Sequence, residues 1–353
     1  MSISPFDHPF LSGLVGDEEI GTLFAAESDI GAMVLFERAL AEMQANAGVI
    51  PADAGPAIDS KLANFVPDMD DLREGTARDG VVIPSLVKQL RQAVGEPHAA
   101  YVHFGATSQD AIDTSLALRL TGAAALLEMR LQRVIDGLAE IETRNGQTET
   151  MAHTRMQAAI PVPASRKIES WRNPLIRHRE RLAEAVSGIR VLSFGGAAGT
   201  LEKLGDKGEA VSAMLAEHFG LTAAMPPRHC ERDGVAAFAS WLSLVTGSLG
   251  KMGQDIALMA QTEIGEVKLS GGGGSSAMPH KVNPVGAETL VTLARFNATL
   301  VSGMHQSLVH ENERSGAAWT LEWMLLPQMA IATAAALRTA DSLLKSVSFV
   351  SRP

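Results

Sequence analysis

Hydrophobic side chains recur every three or four positions along three long stretches of the chain. The first stretch carries Ile112, Leu116, Leu120, Ala123, Leu127, Leu131, Val134, Leu138 and Ile141. The second runs from Phe238 to Met259 in alternating steps of four and three, and the third runs from Pro284 to about His310. This spacing places apolar residues on one face of an α-helix. We therefore predict three long helices that pack nearly parallel to one another.

Three glycines interrupt the second of these stretches, at Gly247, Gly250 and Gly253. Each glycine costs a helix about 1 kcal/mol relative to alanine. We predict that the backbone of this helix approaches a neighbouring helix closely, because close packing would offset that cost.

The rest of the pattern favours an all-α protein. The sequence has no strand-like alternation of useful length, so the stretches between the helices, including Thr148 to Pro163, are predicted as loops. At 353 residues the chain exceeds the usual size of one domain. We predict an N-terminal helical domain over residues 1–105 and a central long-helix bundle over residues 106–353. Helices this long, with wide apolar faces, also predict a bundle completed by several subunits of a homo-oligomer.

Charge and composition exclude several classes of protein. The formal net charge is −10 and Lys/Arg runs are absent from the sequence, which argues against a nucleic-acid partner. The longest apolar stretch, residues 235–260, contains Lys251 and Asp255 and is predicted not to cross a membrane. The N-terminus lacks the pattern of a secretory signal, and the single cysteine, Cys230, suits a reducing compartment. A cytoplasmic protein is predicted, and an anionic ligand would require positive charge concentrated at one place.

The segment from Ser270 to Pro284 contains the strongest candidate for chemistry. Its four consecutive glycines leave backbone N–H groups free to face an anion, although glycines alone could equally form a linker. Asn283 followed by Pro284 predicts the N-cap and the first residue of a helix. This segment therefore predicts an anion-binding loop beside a helix N-terminus.

Two further segments add polar residues near predicted helix ends. In residues 103–110, the spacing of Thr107 and Asp110 predicts a capping box that opens the first long helix. His103 in the same segment is a candidate site residue, with a core or capping histidine as the alternative. His229 and Cys230 have no partner pair at the spacing of a zinc site, so no metal is expected.

These segments resemble the motifs of the fumarase/aspartase superfamily, in the same order along the chain. Residues 274–284 match the signature Gly-Ser-Ser-x-Met-Pro-x-Lys-x-Asn-Pro, and residues 154–161 resemble a Thr-His-x-Gln-x-Ala-x-Pro region. The resemblance covers nearly the whole chain, and relatives usually continue into a small helical domain that we expect to be missing or truncated here. Further similarities point to the cycloisomerase branch of the superfamily, at Phe36–Ala41, Gly195–Leu201, Arg232–Asp233 and Glu311–Arg314.

The resemblance implies a division of roles among these residues. Ser275 is the expected proton carrier, while Lys281 and Asn283 are expected to stabilise the charge that grows on a substrate carboxylate. It also implies a small tricarboxylate substrate, no cofactor and a homotetramer with shared active sites. The implied substrate-binding residues are His103, Thr107, Ser108, Gln109, Thr154, Arg155, Gln157, Ser276, Met278 and Arg314.

Arg155 is the main departure from the superfamily pattern, because most of its lyases carry histidine there. A carboxylate nucleophile, with a pKa of about 4, is already ionised and needs no general acid. A fixed cation therefore suits an enzyme that closes a carboxymuconate into a lactone. The alternatives are a lyase of the adenylosuccinate or argininosuccinate type and, less favoured, a helical scaffold without activity.

Overall fold

The three predicted long helices are present in a computed structural model of the protein, which describes residues 4–271, 273–274, 278 and 281–351. They are α7 (Ser108–Asn145), α10 (Asp233–Met259) and α11 (Val285–Gln306). Two more long helices, α8 (Ser165–Ile189) and α12 (Ala317–Ser346), pack with them into a five-helix bundle. The predicted stripe of α7 is buried in this bundle, so the prediction of an all-α, long-helix fold is confirmed.

Shorter helices precede the bundle and lie beside it. The remaining described helices are α1 (Ser12–Val15), α2 (Glu18–Leu23), α3 (Ala26–Asn46), α4 (Ala54–Leu62), α5 (Met69–Asp79), α6 (Ile83–Val94) and α9 (Gly208–Phe219), with 3-10 turns at Ala99–Tyr101 and Glu202–Lys207. A second hydrophobic core lies among α3 to α6 and also takes in residues between Leu192 and Ala216. Because this core includes later parts of the chain, the domain division at residue 105 remains a prediction.

The predicted close approach of α10 to a neighbour occurs at two of the three glycines. A Cβ atom at Gly250 would lie 2.5 Å from the Cβ atom of Ala294, and one at Gly253 would lie 2.5 Å from the backbone oxygen of Ala287. Both neighbours belong to α11. At Gly247 an added Cβ atom would meet no described atom within 4 Å, so the prediction is wrong for that glycine.

This difference predicts opposite effects for two alanine substitutions on one helix. Gly253→Ala should lower the free energy of unfolding by about 1–3 kcal/mol, because the new methyl group must push α11 away. Gly247→Ala should raise it by about 0.5–1 kcal/mol, because alanine is the better helix former and space is available. Urea unfolding followed by circular dichroism measures both. Equal effects at the two positions would contradict the close contact between α10 and α11.

Helix α12 combines length and apolar character. Among the described residues it is the one helix long and apolar enough to cross a membrane, and 56% of its most apolar window is buried inside the protein. It packs against α7, α10 and α11. Its apolar surface therefore contributes to the core of the bundle.

Three small sheets connect the helices. Strands β1 (Glu149–Thr154) and β2 (Gln157–Pro163) form an antiparallel hairpin, so the prediction of a loop over Thr148 to Pro163 is wrong. The hairpin escaped prediction because β2 has apolar residues at successive positions and is exposed along most of its length, which hides the alternation of a half-buried strand. The others are a parallel pair, β3 (Val191–Leu192) with β4 (Thr222–Ala223), and an antiparallel pair, β5 (Val267–Leu269) with β6 (Val347–Phe349).

Candidate active site

The first predicted motif forms the turn that opens α7. Thr107 is the N-cap residue with an extended backbone, and its N–H donates a hydrogen bond to Asp110 at 2.8 Å. The predicted capping box is confirmed. Ser108 is the first residue of the helix. The hydroxyl groups of Thr107 and Ser108 therefore lie beside the positive end of a 38-residue helix.

Asp110 does more than cap this helix. Its carboxylate is fully buried and also accepts hydrogen bonds from the backbone N–H groups of Gly195 at 2.9 Å and Gly196 at 3.0 Å. The Nε2 atom of His229 lies 2.9 Å from the same carboxylate and 2.8 Å from the carbonyl oxygen of Ser193. Both of these neighbours are acceptors, so Nε2 carries the proton. Asp110 thus fixes the Thr107 turn to the glycine segment at 195–196.

His103 lies four residues before Thr107 and is paired with an acidic side chain. Its Nδ1 atom is 2.6 Å from Oε1 of Glu37, whose side chain is fully buried. Burial is the largest single influence and acts to lower the pKa of His103, but the charge and hydrogen bond of Glu37, together with the charge of Asp110, raise the pKa above its ordinary value. His103 also has a φ of +62°, which is uncommon outside glycine and marks a constrained backbone. The pair therefore holds the imidazole in a fixed position and favours its protonated form.

Removing the charge of Glu37 should lower the pKa of His103. In Glu37→Gln the imidazole keeps its burial but loses the carboxylate, so it should lose its proton at a lower pH than in the unsubstituted protein. The ion pair stabilises the fold fully below the ordinary histidine pKa of 6.5, and this stability is lost as the pH rises through the raised pKa. Titration of the His103 ring by NMR, assigned with His103→Gln, measures the shift. An unchanged pKa would show that Glu37 does not control the charge of His103.

An open depression of about 1000 Å³ lies in front of the Thr107 turn. It is lined by His103, Thr107 and Ser108 and also by Lys88 and Arg91 of α6. The structure thus brings three predicted site residues together with two cations that the motifs do not contain. An i, i+3 pair of cations on a helix next to the Thr-Ser segment, in a chain of net charge −10, was the signal that could have identified them.

Gln109 and Arg314, both predicted to bind substrate, contact each other in this structure. Gln109 is fully buried, and its amide nitrogen donates to Asp113 at 3.0 Å and to the His229 carbonyl oxygen at 2.9 Å. Nε of Arg314 donates to the Gln109 amide oxygen at 3.1 Å, and Nη2 donates to the carbonyl oxygens of Gly196 and Ala197. These bonds connect the residue after Ser108 to the glycine segment. In this structure both side chains serve to position the turn.

A buried ion network lies behind Gln109. Arg232 donates from Nη1 to Asp113 at 2.8 Å and from Nε and Nη2 to Glu322 at 2.9 and 2.5 Å. The indole N–H of Trp319 donates to Asp113 at 3.1 Å. Burial acts to lower the pKa of Arg232, but the two carboxylates raise it further above its ordinary value. All three charged side chains are almost completely buried, and the single guanidinium group of Arg232 is shared between the two carboxylates.

The second predicted motif occupies the tip of the β1–β2 hairpin. Arg155 and Met156 form its two-residue turn, with φ angles of +49° and +69°, between the paired residues Thr154 and Gln157. Asn-Gly is the usual choice for a turn with two positive φ angles, so a non-glycine pair here carries backbone strain. All four residues are exposed. The predicted cation at Arg155 is therefore exposed to solvent at the tip of the hairpin.

The base of this hairpin is held firmly. The backbone N–H of Met151 donates to the buried Glu266 side chain at 2.7 Å, and Nζ of Lys167 donates to the Met151 carbonyl oxygen at 3.0 Å. The hydroxyl of Thr150 donates to the Val162 carbonyl oxygen across the two strands. A fixed base and an exposed tip suit a hairpin that presents Arg155 to a binding partner outside the five-helix bundle of its own chain.

The two ends of the third predicted motif are joined by a backbone hydrogen bond. The N–H of Asn283 donates to the carbonyl oxygen of Gly273 at 2.9 Å, so the two ends of the glycine-rich segment lie side by side. A Cβ atom at Gly273 would lie 2.5 Å from the Val285 side chain, which explains glycine at this position. The prediction of Asn283 as N-cap is wrong by one residue: Pro284 occupies that position because Asn283 is drawn into the bridge with Gly273.

The other predicted residues of this motif differ in how far the structure describes them. Lys281 is exposed, and its N–H donates to the carbonyl oxygen of Met278 at 3.0 Å. Ser275 and Ser276 lie outside the described residues. Within the part of the chain that is described, no hydrogen bond joins the hairpin tip to the Thr107 turn or to Arg314. The three motifs thus form separate groups on one chain.

Comparison with known proteins places this geometry in a family. The family model described as "Lyase" matches residues 18–298. The chain is 43% identical to the 3-carboxy-cis,cis-muconate cycloisomerase of Pseudomonas aeruginosa, over 92% of this chain and 72% of that protein. The crystal structure of the 3-carboxy-cis,cis-muconate lactonizing enzyme from Pseudomonas putida superposes with a TM-score of 0.90 at 37% identity, covering 97% of this chain and 77% of the other.

A more distant relative belongs to the nitrogen-eliminating branch. The chain is 30% identical to the adenylosuccinate lyase of Pyrococcus abyssi, over 99% of this chain and 77% of that protein. The motifs, the five-helix bundle and the family match over most of the chain agree with one another. The chain is therefore a member of the lyase family of the fumarase/aspartase superfamily.

Proposed function

We propose that the protein is a 3-carboxy-cis,cis-muconate cycloisomerase that forms 4-carboxymuconolactone in the degradation of protocatechuate. The similarity to the cycloisomerase of Pseudomonas aeruginosa supports the choice of substrate. The observation that carries the choice of reaction is the exposed Arg155 at the hairpin tip, in the place where most lyases of the superfamily carry histidine.

The proposed reaction is an intramolecular addition across a carbon–carbon double bond. One terminal carboxylate of the substrate attacks its own diene and closes a five-membered lactone, and a proton is added to the carbon next to the other terminal carboxylate. Ser275 delivers that proton. Lys281, Asn283 and backbone N–H groups of the loop stabilise the negative charge that grows on this second carboxylate before the proton arrives. The trianionic substrate takes up one proton to give the dianionic lactone, and Ser275 regains that proton from solvent water; the fully protonated substrate and product are isomers.

The remaining predicted residues bind or orient the substrate in this proposal. His103, Thr107 and Ser108 act from the α7 turn, Thr154, Arg155 and Gln157 from the hairpin, and Ser276 and Met278 from the loop. Gln109 and Arg314 support the α7 turn through the bonds described above. The reaction needs neither a metal nor a cofactor in this scheme.

The charge of Arg155 is expected to bind a substrate carboxylate. Arg155→Lys should raise KM about tenfold, because the ammonium group loses the bidentate geometry of the guanidinium group, and Arg155→Met should raise it further. Arg155→His should not improve lactonization, since a carboxylate nucleophile has no use for a proton donor. Steady-state kinetics across a range of pH values measures these changes. If Arg155→Met behaves like the unsubstituted enzyme, Arg155 is a structural residue of the turn.

A homotetramer with shared active sites is part of the proposal. The hairpin tip exposes Met156 and Ile160, at 75% and 65%, beside the charged Arg155. Apolar side chains this exposed on a projecting element suit burial against another subunit. The proposed setting is the cytoplasm, with no nucleic-acid or membrane partner.

Two substrates separate the proposal from its rivals. Purified protein is incubated with 3-carboxy-cis,cis-muconate and, separately, with adenylosuccinate, while the ultraviolet absorbance of each is followed. Turnover of the muconate alone supports the proposal. Turnover of adenylosuccinate alone favours the nitrogen-eliminating type, and turnover of neither favours a scaffold without activity.

A further inference from the structure

Two cations of α6, Lys88 and Arg91, line the depression in front of the Thr107 turn. Lys88 and Arg91 are three residues apart, so they share one side of the helix. Nη2 of Arg91 donates to the Val102 carbonyl oxygen at 3.1 Å, which anchors one edge of the guanidinium group. Neither residue forms an ion pair within the part of the chain that the structure describes, although Glu96 also lines the depression. Two neighbouring uncompensated cations repel each other, and a bound anion would relieve that repulsion.

The turn that opens α7 adds polarity of the same sign to the depression. The N-terminus of α7 contributes its partial positive charge, with the hydroxyl groups of Thr107 and Ser108 as donors. His103 also lines the depression, and its Nδ1 atom lies 2.6 Å from the buried carboxylate of Glu37. Positive groups thus face the depression from two elements of a chain whose net charge is −10. The complementary ligand is an anion with more than one carboxylate.

We propose that Lys88 and Arg91 bind the carboxylate at position 3 of the substrate and so select a tricarboxylate over a dicarboxylate. This inference rests on the proposed function, in which one terminal carboxylate must stay free to attack and the other faces Lys281 and Asn283. The third carboxylate takes no part in bond formation and can be held throughout. Arg91 offers its planar fork for this purpose and Lys88 adds a second charge. Both are substrate-binding residues in this account and carry no proton.

The test compares these two cations with two exposed cations elsewhere. Lys88→Met and Arg91→Met remove one charge each from the depression, while Lys61→Met on α4 and Arg144→Met at the end of α7 remove the same charge from other surfaces. Each substitution at the depression should raise KM for 3-carboxymuconate about tenfold and leave kcat within about twofold, as expected for the loss of a charged hydrogen bond that binds without catalysing. The control variants should change neither constant by more than about twofold. Arg91→Lys should fall between Arg91→Met and the unsubstituted enzyme.

Binding of unreactive acids separates this proposal from the proposed reaction. Calorimetry with tricarballylate, a saturated tricarboxylate, should show a Kd that rises about tenfold in Lys88→Met and Arg91→Met. The Kd for glutarate, a dicarboxylate, should rise by less than about threefold. If the unsubstituted protein binds tricarballylate in this way but does not turn over 3-carboxymuconate, the proposed reaction fails and the carboxylate site stands.

Two results would overturn the carboxylate site. The first is turnover of 3-carboxymuconate with KM and Kd values in Lys88→Met and Arg91→Met equal to those of the control variants. The second is an unsubstituted protein that binds no tricarballylate. Retained helix content by circular dichroism shows that each variant is folded, and both positions are exposed, so substitution does not disturb the core.

Discussion

Ser275→Ala is expected to lower kcat for 3-carboxymuconate by about a thousandfold or more. The substitution removes the proposed proton carrier, and a positioned acid–base group typically accounts for a factor of 10² to 10⁴ in rate. The lactone cannot form without protonation of the carbon next to the second carboxylate. KM should change little, because the carboxylates are bound by other residues. The decrease in muconate absorbance in a stopped-flow instrument measures the rate.

Ser270→Ala is the matched control for this loss. Ser270 lies at the start of the same segment, where its N–H and hydroxyl both donate to the carbonyl oxygen of Ser346, so it fixes the end of β5. Its alanine variant should keep most of the turnover. Residual activity above a few per cent in Ser275→Ala, with the fold intact by circular dichroism, would assign proton transfer to another residue.

Arg232→Met is expected to lower the free energy of unfolding by about 3–5 kcal/mol. The substitution leaves Asp113 and Glu322 buried without their shared cation, and two uncompensated carboxylates at this depth must take up protons or admit water. For a chain of 353 residues the loss corresponds to a fall in melting temperature of about 4–7 °C. Calorimetry or thermal unfolding followed by circular dichroism measures it.

An exposed ion pair provides the comparison for Arg232. Arg73 and Asp70 lie 3.2 Å apart with most of each side chain in solvent, and Arg73→Met should change the free energy of unfolding by less than about 1 kcal/mol. Adding Asp113→Asn and Glu322→Gln to Arg232→Met should restore part of the lost stability. A small effect of Arg232→Met alone would mean that water already compensates the two acids.

The sequence was most informative where one periodicity extends over many residues. The stripe from Ile112 to Ile141 required a helix of nearly the observed length, and the glycines of α10 correctly predicted a close neighbour at Gly250 and Gly253. The β1–β2 hairpin gave no such signal. Its strands are short and mostly exposed, so burial left no regular pattern in the choice of residues.

The contacts of the site also differ in how far the sequence predicts them. Local contacts, such as the capping box of Thr107 and Asp110, follow from spacing along the chain. The other partners of Asp110 are Gly195, Gly196 and His229, which are remote in sequence, and only the packing of the bundle brings them together. Lys88 was missed for the same reason, because its spacing from Arg91 is readable in the sequence but its position near the Thr107 turn follows only from the packing.

The pairing of β5 with β6 sets a condition on the order of folding. Strand β5 leads directly into the glycine-rich segment, and its partner in this two-stranded sheet comes only after α11 and α12. Pairing strands so far apart in sequence costs conformational entropy, because the long segment between them must close into a loop. Packing of the intervening helices lowers this cost, so it must come first. We expect the entrance to this segment to be ordered late, after most helical structure has formed. A refolding chain would then regain its helix signal before it regains the ability to turn over substrate.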